Sequence, residues 1–226
     1  MTILMTNIFG QNSVGVYMAV NNKFGLLPST ILRPTEEKIK DVFRQPMFEL
    51  TINNSNLLGV YTASNKNGII VPNIIKDDEL ESLRSNIKTI DNSYQIGILK
   101  SLDNAFGNLV LCNDKGAIIS PFLKEYKKEI QEILGVEATV FEFADNYLPG
   151  SIAIANNHGC VVHPLSSDSD VDMISELLKV DEVDVSTVNR GIPYISSGAL
   201  VNDEGGIFGL NCTGPEMQRM TLILDL

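Results

Sequence analysis

Few side chains in this 226-residue sequence are of a type that attacks, relays protons or holds metals, and their spacing narrows the chemistry at once. The three cysteines, Cys112, Cys160 and Cys212, stand 48 and 52 residues apart with no Cys-x-x-Cys pair. Neither a zinc site nor a disulfide framework follows, and buried structural thiols are expected. The two histidines, His158 and His163, lie five apart, and no further ligands at metal spacing accompany them. No metal and no cofactor is expected. The side chains that do recur in a pattern are asparagine and glycine, whose chemistry is conformational. Asn-x-x-Gly appears five times, with asparagines at 22, 65, 113, 156 and 202, spaced 43, 48, 43 and 46 residues apart. Asparagine favours the first position of a type I turn, and glycine at the fourth is expected to take positive φ and form a bulge.

Stepping outward from each turn, apolar stretches flank it on both sides, as from Leu57 to Ala63 and then Ile69-Ile70-Val71 around Asn65. Each unit therefore opens with a β-hairpin. In the first four units a proline, Pro28, Pro72, Pro121 or Pro164, marks where the chain leaves the sheet. A helical stretch follows. It is clearest from Glu79 to Lys88, where Leu80, Leu83 and Ile87 share a face behind Asp77-Asp78. Ile39, Val42 and Phe43, then Tyr126, Ile130, Ile133 and Leu134, then Val171, Ile174, Leu177 and Leu178 keep the same spacing, and Pro215-Glu216-Met217 hints at a fifth helix. After each helix comes another β-rich run, at 48–52, 95–99, 138–143, 183–188 and 221–224.

The unit is thus ββαβ, and about 45 residues of it cannot bury both helix and sheet alone, so five units must share a core. No polar linker separates them, which predicts one domain over 1–226, closed as a ring rather than an open solenoid with capping repeats. With 44% hydrophobic and 20% charged residues the chain reads as ordered and globular. No apolar run approaches a membrane span, and the N-terminus lacks the features of a secretory signal, so a cytoplasmic protein without membrane contact is expected. The 17 Lys and Arg against 28 Asp and Glu give a net charge of −11, which disfavours free nucleic acid and suits a basic protein partner.

Five ββαβ units with Asn-x-x-Gly hairpins resemble the pentein-type β/α propeller, with five repeats around a pseudo-fivefold axis. Within that α/β fold the sequence is most similar to the translation initiation factor six family. The similarity is carried by 63–73, by Phe106-Gly107-Asn108 and Cys112-Asn113-Asp114, by Gly150-Ser151 and 159–164, and by Thr187-Val188-Asn189-Arg190-Gly191 with Val201-Asn202-Asp203. The resemblance implies a factor that binds the large ribosomal subunit and keeps the small subunit from docking. Its contact would be chiefly a basic ribosomal protein near the sarcin–ricin region. A role in late large-subunit maturation is also implied, with release by a translocase-type GTPase and a Shwachman–Bodian–Diamond family protein. Without the tail of the eukaryotic members after the fifth unit, an archaeal-type monomer is expected.

In a ring, the loops at one end of the axis form a flat face suited to a large partner. Asn108, Asn189 and Arg190 are the leading candidates for that face by motif position, followed by Asn65, Gly150, Ser151 and Tyr194. The Arg190 guanidinium has a fork geometry for carboxylate or phosphate that lysine lacks. The pentein resemblance also implies an alternative, since relatives with that fold modify guanidines through a cysteine near the C-terminus. Cys212 would be the nucleophile, with His163, Asp203 and Glu204 as base and substrate carboxylates. A thiolate would need such a base or a positive charge beside it, and Cys212-Thr213-Gly214-Pro215 reads only as a strand-to-helix connection.

Overall fold

A computed structural model describes residues 2–226. It is a mixed α/β structure of five three-stranded sheets, each with an inner strand antiparallel to a middle strand and an outer strand parallel to it. The middle strands, Gly25–Pro28, Gly68–Pro72, Gly116–Ile119, Gly159–Val162 and Gly206–Gly209, are buried along their whole length. They read as continuous apolar runs because both faces of each sheet are covered. The inner strands touch in a closed cycle about the axis, fifth against first included.

The helices are Arg33–Phe43, Asp77–Lys88, Lys127–Leu134, Asp168–Leu178 and Gly214–Ile223, the third preceded by a 3₁₀ turn at Pro121–Tyr126. Each lies between its own sheet and that of the preceding unit. The apolar interior is consequently not one shared core but five clusters, each straddling a junction. Phe24 and Leu26 of the first unit pack on Leu83 and Ile87 of the second. Leu200 and Ile207 of the fifth pack on Ile39, Val42 and Phe43 of the first. A single unit therefore leaves one side of its helix uncovered.

Three expectations change in detail. First, each inner strand is short because the apolar stretch ahead of it begins as a helical turn: Val14–Tyr17, Leu58–Tyr61, Phe106–Leu109, Pro149–Ile152 and Ile195–Gly198. These turns pack on one another around the axis in a second closed cycle. Second, the hairpin glycines do not take positive φ. They are there because a helix end of the following unit lies against them: a Cβ on Gly68, Gly116 or Gly159 would stand 1.9–2.0 Å from the carbonyl oxygen of Ile133, Leu177 or Ile223. Third, the first turn starts at Asn21, not Asn22. Asn21 Oδ1 accepts from the N–H groups of Lys23 and Phe24, as Asn65 Oδ1 does from those of Asn67 and Gly68. Phe24 occupies the glycine position, and its ring packs edge-on against Tyr94 where other units bring a helix terminus.

The shift puts Asn22 level with Lys66, Asp114, Asn157 and Asp203, the second residues of the five turns, and these close one end of the axis as a polar plug. The Asn22 and Asn157 amides each donate to both Asp114 Oδ2 and Asp203 Oδ2 at 2.7–2.8 Å. The second carboxylate oxygens accept from the N–H groups of Lys66 and Asn157 at 2.8 and 2.9 Å. Every donor and acceptor of the diamond is paired, so Asp203→Ala strands two side-chain amide donors and the Asn157 N–H. We expect it to lower unfolding free energy by about 1–2 kcal/mol, read from the urea midpoint. A midpoint equal to that of the parent chain would show that solvent replaces the plug at no cost.

The last difference concerns closure. Residues 221–224 are not a strand: Met220, Ile223 and Leu224 are buried at helical spacing in the end of Gly214–Ile223 and the residue after it. The β-branched Thr221 and Ile223 mimic a strand there, but the outer strand of the fifth sheet comes from the other end of the chain. Ile3–Thr6 pairs parallel with Gly206–Gly209, Ile3 opposite Gly206 and Thr6 opposite Gly209. No helix among the described residues is long and apolar enough to cross a membrane.

Candidate docking face

The two ends of the ring are chemically different. One carries the hairpin turns, the plug and the C-termini of the helices, whose last carbonyls accept from the turn asparagines: Leu134 from Asn65, Leu178 from Asn113, Leu224 from Asn156, at 2.7–2.9 Å. The other end carries the helix N-termini, the five axial helical turns and the loops joining each outer strand to the next unit. Four of those loops close on an isolated antiparallel bridge, Ile8 with Gln11, Ile52 with Ser55, Phe143 with Asn146 and Val188 with Ile192. Their tips hold consecutive residues in the left-handed region: Phe9-Gly10, Asn53-Asn54, Ala144-Asp145 and Asn189-Arg190, the last followed by Gly191. Left-handed backbone costs roughly 1–2 kcal/mol per non-glycine residue, so such tips need support.

Support comes from helix N-terminal carboxylates. Glu79 accepts from Thr51 Oγ1 and the N–H groups of Asn53, Asn54 and Lys76 at 2.6–3.0 Å. Glu216 accepts from Thr187 Oγ1, the N–H groups of Arg190 and Gly191, and both N–H and Oγ1 of Thr213 at 2.7–3.2 Å. Burial alone would raise both carboxyl groups, but these donors outweigh it, lowering Glu79 and holding Glu216 at about 2.

Apolar exposure follows the same division. Of twelve exposed large hydrophobic side chains among the described residues, nine lie at the loop end. Phe9, Leu102, Tyr147, Ile192 and Tyr194 sit in the inter-unit loops, and Leu32, Phe122, Leu165 and Leu210 where middle strands give way to the helices. Leu102 is 99% exposed. Phe122 and Tyr147 hold each other with ring centroids 5.9 Å apart, and Phe9 meets Tyr17 edge-on at 5.3 Å. Apolar exposure gathered at one end of the ring in this way is the mark of an interaction surface.

The candidate residues divide between the two ends. Arg190 and Tyr194 are exposed at the loop end, Arg190 forming no ion pair among the described residues. Asn108 is half-buried on the third axial helical turn at the same end. Asn189 is more enclosed, its Nδ2 donating to the Asn12 carbonyl at 3.0 Å. Gly150 and Ser151 are buried beside the axis, where a Cβ on Gly150 would stand 2.1 Å from the Gly107 oxygen and the Ser151 carbonyl accepts from Ser196 Oγ. Asn65 is buried in the opposite end, in its turn. The exposed aromatic and leucine residues were missed from sequence because each stands alone in its loop; only the ring gathers them.

The cysteine environments run against thiolate chemistry. Burial pushes the Cys212 thiol up, and the Glu216 carboxylate pushes the same way against bonds from the Asn189 and Gly209 backbone. Its sulfur exchanges hydrogen bonds with Asn189. Burial likewise raises Cys112 to about 12 and raises Cys160 further. His163 lies at the far end of its strand from His158, lowered by burial, with Nδ1 accepting from the Leu165 N–H. Among the described residues no three His, Cys, Asp or Glu side chains are grouped to hold a metal ion.

A family model described as the eIF-6 family matches residues 3–223. A protein named Translation initiation factor 6 from Methanococcus vannielii is 37% identical over 226 residues, covering 99% of each chain. Proteins of the same name from Staphylothermus marinus and Methanocaldococcus jannaschii are 37% and 33% identical, each covering at least 96% of both chains. With five sheets in the order the repeat requires and relatives matched along their whole length, this chain belongs to the eIF-6 family.

Proposed function

We propose that the protein is a translation initiation factor that binds the large ribosomal subunit through the loop end of the ring and sterically keeps the small subunit from joining, by binding rather than turnover. The carrying observation is the concentration of exposed apolar side chains on that one end, beside an unpaired Arg190 and an Asn108 free to face a partner. A face of loops that mixes exposed aromatic and aliphatic side chains with asparagine and arginine has the composition of a protein interface. The −11 net charge suits a basic partner, and the family resemblance implies that this partner is a basic ribosomal protein near the sarcin–ricin region. The same reading places the factor in the cytoplasm, in initiation and late subunit maturation. Release would need a translocase-type GTPase with a Shwachman–Bodian–Diamond family protein.

The test is gradient sedimentation of matched ribosomal subunits with and without the protein. It should migrate with large subunits alone and suppress the joined-ribosome peak. Arg190→Glu should lower large-subunit affinity at least about tenfold at moderate salt with an unchanged melting temperature. A protein that stays at the top of the gradient would remove the ribosomal reading.

A further inference from the structure

Two of the five loop tips are bolted to a carboxylate and three are not, and the difference bears on how the face recognises a partner. Glu216 is 8% exposed and Glu79 7%. In Glu216, Oε1 takes Thr187 Oγ1 and the Gly191 N–H, while Oε2 takes the Arg190 N–H and both Thr213 donors. In Glu79, Oε1 takes Thr51 Oγ1 and the Asn54 N–H, and Oε2 takes the N–H groups of Asn53 and Lys76. Each oxygen of each carboxylate therefore meets at least two donors. The equivalent positions elsewhere do not do this. Asp170, one methylene shorter, reaches the Ala144 N–H only at 3.5 Å. The first helix has Thr35 at that position, with no carboxylate to offer, and Glu36 beside it turns to Lys40 on its own helix. The third helical segment starts with Ser120, whose hydroxyl accepts from Phe122 within the segment.

On the reading that the loop end is the docking face, we infer that Glu216 and Glu79 are positioning residues for it. They fix Asn189-Arg190 and Asn53-Asn54 as two rigid polar registers, while the remaining tips, which carry Phe9, Leu102 and Tyr147, adapt to the partner. Glu216 contributes nothing to the partner directly. It acts through Arg190, by holding the backbone from which the guanidinium projects, and so lowers the ordering cost of binding.

Glu216→Gln tests this, because the amide keeps the shape but cannot accept at both ends: whichever way it turns, its NH₂ faces the N–H donors. The N–H groups of Arg190 and Gly191 should exchange with deuterium about tenfold faster, with those of 206–209 unchanged. Large-subunit affinity should fall about tenfold in the parent background and less than about threefold on top of Arg190→Ala, the non-additivity expected when one residue acts through another. Equal losses in both backgrounds, or unaltered exchange at 190 and 191, would overturn the assignment. If the parent chain does not bind large subunits, the docking reading fails by itself, and the exchange of 190 and 191 alone decides whether Glu216 holds the tip.

Discussion

Gly107→Ala is expected to destabilise the ring by more than about 3 kcal/mol, a drop of roughly 10 °C in Tm for a chain of this length. The Cβ would lie 1.8 Å from the Gly59 carbonyl oxygen and 2.9 Å from that of Thr62. Neither obstacle is a side-chain tip that can swing away. Gly59 in turn has its own virtual Cβ 1.8 Å from the Gly15 oxygen, and Gly15 stands in the same relation to Ser196 at 1.9 Å. The axial helical turns are therefore stacked backbone on backbone, and one methyl group must push apart a cycle that has no free side on which to relax. The gap it opens would be felt at the cavity of about 130 Å³ below, lined by Gly15, Gly59, Gly107, Gly150 and the inner strands. Gly214→Ala is the control: a Cβ there meets nothing within 4 Å, so stability should change by less than about 0.5 kcal/mol. Equal melting temperatures for the two variants would mean the axial turns are looser than their spacing implies.

That ring also marks the limit of what could be read from sequence. The turn asparagines, the helical faces and the order of strands within a unit are local, period-bearing features, and they are legible because the same 45-residue problem is solved five times. Gly15, Gly59, Gly107 and Gly150 carry no such signal. Each lies in an apolar stretch where a glycine reads as a weak spot in a strand, and only the approach of a neighbouring unit explains it. The misplaced first turn has a similar origin. Asn21 and Asn22 stand side by side, and the glycine at 25 selects Asn22 by pattern, whereas burial of Phe24 against Tyr94 selects Asn21. Among the candidate docking residues, motif position picked out Arg190 and Asn108 but also Asn65, Gly150 and Ser151, whose burial is fixed by contacts 40 or more residues away in sequence. A carboxylate such as Glu216 is recognisable from Thr213-Gly214-Pro215-Glu216 as a helix cap. That it also reaches back to the tip at 190–191 is a tertiary fact.

The second large effect is expected at the seam where the ring closes. Deleting residues 2–6 should abolish the single cooperative melt of the parent chain. Four junctions of the ring are crossed by continuous chain, but the fifth sheet gets its outer strand from Ile3–Thr6, so one parallel ladder does there what chain connectivity does elsewhere. The seam is also the poorest in polar ties. Asn65, Asn113 and Asn156 each donate to a neighbouring turn and helix, whereas the Asn202 amide, 3% exposed, finds no acceptor. Its place is altered by the N-terminal segment itself: the Thr2 carbonyl stands 2.5 Å from a Cβ on Gly205, and the Val42 carbonyl of the next helix is held off at 3.1 Å. Removing the strand leaves Ile207, fully buried in the first helix's cluster, on an open edge with Leu200, and the fifth unit then holds the first by the plug, the Asn189 to Asn12 bond, the axial contacts and an apolar junction with one edge uncovered. Units that cannot bury a helix alone should then fray from the seam in both directions, as in a repeat array whose cap is lost. Amide exchange separates the outcomes: loss of protection spreading from 199–209 and 33–43 toward the second and fourth units supports this account. A shortened chain that melts in one step at the parent temperature would show that the apolar junction alone closes the ring.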